Sequence, residues 1–570
     1  MGSSTASSPL HHPLSAPVLL LAVILTVYYP ALLSGILPID DPGIIAKFSV
    51  SPPLSSILLP GNSYYYRPLI ELSYYFDNLM WNMAQSAMHL ENILLHFANS
   101  LLVYLLARRI SCDDKDCSIP LLAALLFALH PVNVEAVAWI AGRTDPLLSL
   151  FVLSATNLWL RWLDEPKRQD LIAVLLLFVA AVLTKETALA FCAVALLLAL
   201  TWPGAATSAQ RYKGVGIIIA PGLLLLMLAL FFRNDTSGFD RFISGGDLHL
   251  AQDTWKALSA TGFYAKKLFF PFPLNFAINS VHPVYGLFGL LFLPVLWLLF
   301  RRDRLSGVLF ISAAIFFLPA VLVAMKQIAW TPFAERYLYL STAYFSLGLV
   351  RLHAVWHLKW REGLLTFFTI LLCGSAVACF YRVLIWKDPL SFFQDAVKKS
   401  PEFGSVYHSL GGLLIQKGQT DLAAEAFATA DRLNQRDSIR YPIKASIMGT
   451  MLAKGNYNEA RTYFFQMFKN KQDASADFLE LLYKADGKRL EFLDNKEKVL
   501  LARDLRETLG LLNQKKPDPF WLYRSGQIAL FVGNNNEAAD FFRRAYSAAP
   551  ADAHYKAAAK TYLLRLEAGK

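Results

Sequence analysis

HPVNVEAVAWIAGRTD, residues 130–145, sets His, Glu, Arg and Asp in a short turn between two segments apolar enough to cross a bilayer. A charged side chain at membrane depth costs at least ~2.5 kcal/mol, so such a cluster beside apolar helices either faces a cavity and binds a polar ligand or is an ordinary solvated loop. The first reading is favoured, because similar charged turns recur along the chain. The stretch therefore predicts an all-α, polytopic membrane domain, and the flanking sequence agrees. Over 570 residues the chain is 55% hydrophobic and 17% charged, which excludes a soluble domain of ordinary usage. Up to Tyr381 the apolar residues come in blocks such as Val18 to Leu37, Leu171 to Leu183, Val215 to Phe232 and Leu364 to Phe380. These approach the ~20 residues that cross ~30 Å of hydrocarbon, and counting them gives about eleven spans.

The net charge of +11 does not point to nucleic acid, because the basic residues sit in short connections between spans. Arg108 and Arg109, Lys167 and Arg168, Arg211 and Lys213, Arg301, Arg302 and Arg304, and Arg351, Lys359 and Arg361 mark every second connection. The positive-inside rule makes these cytoplasmic. The remaining connections, Pro38 to Ala87, His130 to Asp145, Lys185 and Glu186, Arg233 to Pro283 and Lys326 to Glu335, then face the lumen or periplasm, with the N-terminus cytoplasmic. The opening residues lack the basic stretch of a cleavable signal peptide, so Val18 to Leu37 reads as a retained first span.

After Trp386 the chain reads as soluble helix, which divides it into a membrane domain, 1–386, and a repeat domain, 387–570. Tyr407, Leu410, Gly411, Leu414, Gly418, Ala423, Phe427 and Ala430 fall at the offsets of a tetratricopeptide helix pair, whose period is ~34 residues. A second copy uses Leu452, Gly455, Ala460 and Phe464, and a third uses Gly526, Ala529, Gly533, Ala538, Phe542, Ala545 and Pro550, with a degenerate helical stretch from Asp473 to Lys516 between them. The glycine before each second helix makes the turn, and stacked pairs build a concave surface suited to a peptide or protein. The alternative is an inert helical cap.

In the first extracytoplasmic loop, Asp40 and Asp41 of GILPIDDPGI are adjacent carboxylates that repel unless a proton, a cation or a polar substrate compensates. They can act as a general base or hold a divalent cation; alternatively, Asp41 before Pro42 caps a surface helix, and the readings are compatible. Tyr64, Tyr65, Tyr66, Arg67 and Pro68 form an aromatic interface belt with one cation. His89 and His96 share a helix face and suit packing or hydrogen bonding better than metal. Cys112 and Cys117 flank DDKD in a cytoplasmic loop and make no standard zinc site, while Cys192, Cys373 and Cys379 are small core residues.

YYRPLIELSYYFDNLMW, HLENILLHFANSLLVYLL, ALHPVNVEAVAWIAGRTD, LTKETAL, ERYLYLSTAYF and WKDPLSFFQDAVKKSPEFGSVYHSLGGLLIQKG occur in that order. Together they resemble the TMTC-type tetratricopeptide O-mannosyltransferases and their bacterial relatives over nearly the whole chain. The resemblance implies a GT-C fold with a polyprenyl- or dolichyl-phosphate-linked sugar as donor and a protein Ser/Thr hydroxyl as acceptor. Asn133 stands where the animal proteins typically carry a second His, and the repeat array is short.

That chemistry needs a base for the acceptor proton, cations for the departing phosphate and an interface groove for the lipid. Asp40 resembles the family's loop carboxylate and is the expected base, with Asp41 assisting. Arg336 and Lys185 are expected at the phosphate, with Arg67 or Arg143 as the alternative contacts. Glu135, Arg143 and Asp145 are expected to shape the sugar and acceptor site, with His89, His130, Glu186 and Glu335 completing it. The bland alternative pairs each charge with its neighbour in sequence: Lys185 with Glu186, Arg336 with Glu335, Arg143 with Asp145. A non-catalytic scaffold whose repeats dock an envelope or secretion partner is the competing function. A transporter is disfavoured, because the charges sit at span ends and no inverted repeat is visible.

Overall fold

The computed structural model describes residues 15–59, 66–111, 118–231, 250–327, 329–355, 361–434 and 436–568, and among them all regular structure is helical. The chain forms two compact units, Met1–Ser400 and Pro401–Lys570. Helix Pro389–Lys399, expected with the repeats, belongs to the first. It starts on Asp388, whose carboxylate accepts from the Ser391 amide at 2.9 Å, with Pro389 at the first helical position. Arg382 in the preceding helix pairs with its Asp395 at 2.6 Å.

Among the described residues of the first unit six helices are long and apolar enough to span: Ser15–Leu33, Gln85–Ile110, Ile140–Asp164, Tyr285–Arg302, Arg304–Lys326 and Thr366–Lys387. A seventh is Ser118–Ala128 with Pro131–Ala138, bent by 48°. Pro131 has no N–H to continue the helical ladder, which places the break at the His130 turn. Eleven spans were expected from the apolar blocks, and the difference lies in helices such as Arg168–Thr184, of 17 residues, and Phe191–Thr201, of 11. Helix Leu250–Phe269 occupies part of an expected connection; it is long enough but carries Asp253, Lys256, Lys266 and Lys267. The first span lies a few residues earlier than expected, because after a last 3₁₀ turn at Tyr29–Leu33 the chain is extended towards Pro38.

Polar contacts sort the helix ends. Arg109 pairs with Asp164 at 3.4 Å, Trp202 donates to Asp164 at 2.6 Å, and Arg211 donates to the Trp202 carbonyl at 2.8 Å. Arg351 joins this end through the Ile110 carbonyl at 2.9 Å and Asp303 at 3.3 Å. The turns around Asp41, Glu135, Lys185 and Glu335 meet one another elsewhere.

In the second unit the paired helices are Gly404–Gln416 with Thr420–Leu433, Asp437–Ala453 with Tyr457–Met467, and Pro519–Phe531 with Asn535–Ala548. Gly418, Gly455 and Gly533 make the turns with φ of 73°, 79° and 81°, a region that side chains avoid. The degenerate stretch is a further pair, Ala476–Arg489 and Asn495–Lys515, the latter opened by a capping box of Asp494 and Glu497. Its core joins Leu479, Leu482, Leu505 and Leu509 to Phe464 and Trp521 of its neighbours.

Candidate active site

Asp40 and Asp41 follow the first span, and their chemistry diverges. The helix begins at Asp41, with Asp40 at its N-cap, and neither carboxylate caps it. Instead Asp41 turns inward, 1% exposed, and accepts from the Leu37 amide at 3.1 Å and the Ala141 amide at 3.2 Å. Burial pushes its carboxyl up to about 7, against the pull of those two amides. Asp40 keeps an exposed face. Its carboxyl is also raised by the protein around it, while Arg336, near enough to act electrostatically, draws it back.

Arg336 is held from three directions. Glu135, buried in the bent helix pair, accepts from the Glu335 amide at 3.1 Å, from the Arg336 amide at 3.3 Å and from the Arg336 guanidinium at 2.5 Å. The guanidinium lies over Trp139 at 5.2 Å and Tyr337 at 5.0 Å, contacts that suit its flat, weakly hydrated face.

Tyr337 also lines a cleft of about 100 Å³ with Arg67, Asp145, Lys185 and Glu186. Leu148, Phe316, Pro319, Ala320 and Val323 make its apolar wall. Lys185 pairs with Asp145 at 2.6 Å and lies 5.3 Å from the Tyr337 ring, within electrostatic range of Arg67 and Arg336. Arg67 pairs with Glu186 at 2.7 Å. Three cations and an accessible carboxylate thus converge at one end of the bundle, an arrangement able to bind a phosphate and accept a proton.

The sequence-neighbour pairs are not the ones formed. Glu186 takes Arg67 rather than Lys185, and Lys185 takes Asp145. Glu335 takes Lys267 at 2.5 Å and the Asn275 amide at 3.0 Å, leaving Arg336 to Glu135. In the tight turns before each helix, consecutive side chains project in different directions and find partners on other segments. Arg143 pairs with Asp77 at 2.7 Å and Glu91 at 3.0 Å, not with Asp145.

Of the expected site residues, Arg67, Asp145, Lys185 and Glu186 line the cleft; Asp40, Asp41, Glu135 and Arg336 stand outside its lining, and Arg143, Glu335, His89 and His130 are engaged elsewhere. Arg143 is 1% exposed and spent on protein groups. Glu335 is buried against Lys267. His89 is 2% exposed beside Arg143. His130 gives its Nε2 to a contact with the Leu268 carbonyl at 3.1 Å. His96, read as a packing or hydrogen-bonding residue, contacts the Tyr339 hydroxyl at 2.7 Å and the Ala128 carbonyl at 3.0 Å. Tyr64, Tyr65, Cys112 and Cys117 lie outside the described residues. Tyr337 and Trp139 went unsingled by sequence; their signal was adjacency to Arg336 and Glu135 in aromatic-rich motifs.

A cation between Asp40 and Asp41 finds little support. Asp41 already accepts at both oxygens, and among the described residues no group of three or more His, Cys, Asp or Glu could hold a metal.

Residues 75–231 match the family model for dolichyl-phosphate-mannose-protein mannosyltransferase, and 404–437 and 522–552 match tetratricopeptide repeats. A protein O-mannosyl-transferase of Caenorhabditis elegans is 25% identical over 388 residues, 65% of this chain and 54% of the worm protein. Protein O-mannosyl-transferase Tmtc1 of Drosophila melanogaster is 36% identical over 124 residues, 22% of this chain and 14% of its own. For human protein O-mannosyl-transferase TMTC3 the figures are 36% over 90 residues, 16% and 9%. The chain thus spans about half the length of the worm relative and a smaller share of the other two. With the apolar helices, the site motifs and the repeats in one order, the chain is similar to the TMTC-type tetratricopeptide O-mannosyltransferases.

Proposed function

We propose that the chain is a membrane glycosyltransferase that moves a mannose-like hexose from a polyprenyl- or dolichyl-phosphate carrier to a protein Ser/Thr hydroxyl. One observation carries the reading: Asp40, an accessible carboxylate, lies within electrostatic range of Arg336, which in turn is within range of Lys185 in a cleft that Arg67 also lines and whose other wall is apolar. The acceptor hydroxyl gives its proton to Asp40 as its oxygen attacks the anomeric carbon. The bond from that carbon to the phosphate oxygen breaks, and the negative charge that develops on the phosphate is met by preorganised cations. Arg336 gives Glu135 one of the five N–H donors on its guanidinium, so it can serve both the carboxylate and a phosphate. The wall of Phe316, Pro319, Ala320 and Val323, on a span, suits the first isoprene units.

The chemistry belongs on the extracytoplasmic side. The basic turns at Arg109, Arg211 and Arg351 gather at one end, which the positive-inside rule assigns to the cytoplasm. The repeat unit, on that same extracytoplasmic side, engages the acceptor protein, adding binding energy remote from the reacting atoms.

In vesicles supplied with polyprenyl-phosphate mannose and a Ser/Thr peptide, Asp40→Asn should lower transfer by about 10²- to 10⁴-fold at unchanged donor affinity. Wild-type turnover in that variant would remove Asp40 as base. Gly412→Cys, where an added Cβ meets open space, should react with an impermeant thiol reagent from the extracytoplasmic face; labelling only from the cytoplasm overturns the topology.

A further inference from the structure

Helix Pro68–Trp81 carries Arg67 at its N-cap, and Arg67 lines the cleft. Its other half is fastened elsewhere. Asp77, fully buried, receives the Arg143 guanidinium at 2.7 Å, and Trp81 donates to Glu91 at 2.7 Å. Glu91 is in turn an acceptor for Arg143 at 3.0 Å. Arg143 also donates to Asn92 at 2.9 Å and to the Met88 carbonyl at 3.1 Å, and stacks over Tyr74 at 5.0 Å. One side chain therefore joins helix Pro68–Trp81, helix Gln85–Ile110 and the turn that leads directly to Asp145. Both arms of that junction end on cleft residues, Arg67 on one and Asp145, with its partner Lys185, on the other.

We propose that the Asp77–Arg143 pair is a positioning element for donor binding: it fixes helix Pro68–Trp81 so that Arg67 stays in the cation set of the cleft. Neither residue touches the donor. Near the cleft Arg67 pairs with Glu186, whose side chain is 57% exposed, while its backbone is set by the helix that Asp77 fastens. This inference rests on the phosphate-binding reading of the cleft, and the experiment separates the two.

Undecaprenyl phosphate binding is measured on the full chain in phosphatidylcholine nanodiscs for wild type, Asp77→Asn, Arg67→Ala and the double variant, alongside melting temperatures. Arg67→Ala should raise Kd by about tenfold, the equivalent of ~1.4 kcal/mol. Asp77→Asn should raise it in the same direction, and should add nothing once Arg67 is gone, because it acts through that side chain. A loss of stability alone would shift the single and double variants equally. Full additivity, or unchanged affinity in Asp77→Asn, overturns the inference while leaving the cleft as phosphate site. Unchanged affinity in Arg67→Ala instead overturns Arg67 as a phosphate contact and the inference with it. Should Asp77→Asn fail to fold, Glu91→Gln removes the second, more exposed acceptor of the same guanidinium and must show the same dependence on Arg67.

Discussion

The ion pairs of the membrane unit and of the repeat unit are built to different rules. Around the cleft, Arg336 reaches Glu135 across 201 residues and Lys185 reaches Asp145 across 40, with side chains no more than 18% exposed. In the repeat unit many pairs are local and wet: Lys484 with Glu480 and Arg544 with Asp540 lie one helical turn apart, the latter with side chains 55% and 57% exposed. Buried, long-range pairs hold segments together and their members are costly to orphan; exposed local pairs contribute little. Other pairs of the repeat unit cross between helices, among them Arg461, which bridges fully buried Asp486 and half-exposed Asp504, and the exposed pair Arg543 with Glu567.

Donor binding gives the largest expected contrast. Lys185→Ala or Arg336→Ala should each weaken polyprenyl-phosphate-sugar binding by ~1.5 to 3 kcal/mol, the worth of a hydrogen bond to a charged group. Arg336→Lys should also weaken it, since an ammonium cannot keep both Glu135 and the aromatic faces. Unchanged Kd in both alanine variants would move the phosphate elsewhere. For packing, Gly411→Ala should destabilise the repeat unit by ~1 to 3 kcal/mol in thermal or urea unfolding, because its Cβ would meet Phe427 Cε1 at 2.6 Å. Gly412→Ala, facing open space, should be neutral or mildly stabilising, and equal effects would refute the close-approach argument.

A smaller effect follows from Asp41. Its carboxyl, raised in the fold from 3.8 to about 7, binds a proton more tightly folded than unfolded. Its contribution to stability is therefore complete below about 4 and is lost as pH rises towards about 7. Asp41→Asn should flatten that part of the stability profile, and an unchanged slope would show that Asp41 titrates normally. Least of all, Arg544→Ala should change stability by no more than ~0.5 kcal/mol, and a larger loss would break the contrast between the two kinds of pair.

The same contrast explains what could be read from sequence. Gly418, Gly455 and Gly533 announce their turns because a tetratricopeptide repeat is a local pattern, and the apolar blocks announce membrane helices for the same reason. Asp145, Lys185 and Arg67 stood out as charges in apolar surroundings, and all three line the cleft. Their partners were not legible. Nothing in TKET tells Glu186 to pass over Lys185, because the choice depends on helix Pro68–Trp81 arriving from elsewhere. Arg143 shows the same limit: the sequence offered a site role or a pairing with Asp145, while its partners Asp77 and Glu91 lay on other helices. The count of about eleven spans was not matched among the described residues, because apolar composition alone does not report where a helix starts and stops.

Helix Leu250–Phe269 and its neighbour Tyr285–Arg302 have a consequence for biogenesis. Their backbones approach so closely that a Cβ at Gly262 would strike the Tyr285 carbonyl, and one at Gly289 the Leu258 carbonyl. With Asp253, Lys256, Lys266 and Lys267, the first helix is a poor independent substrate for lateral release from a translocon, whereas the second is apolar enough to leave alone. Small-residue contact of this kind gives association in lipid without any hydrophobic driving force between helices. The order of synthesis then matters: the polar helix emerges first, and its close seat is complete only once the apolar helix has been made.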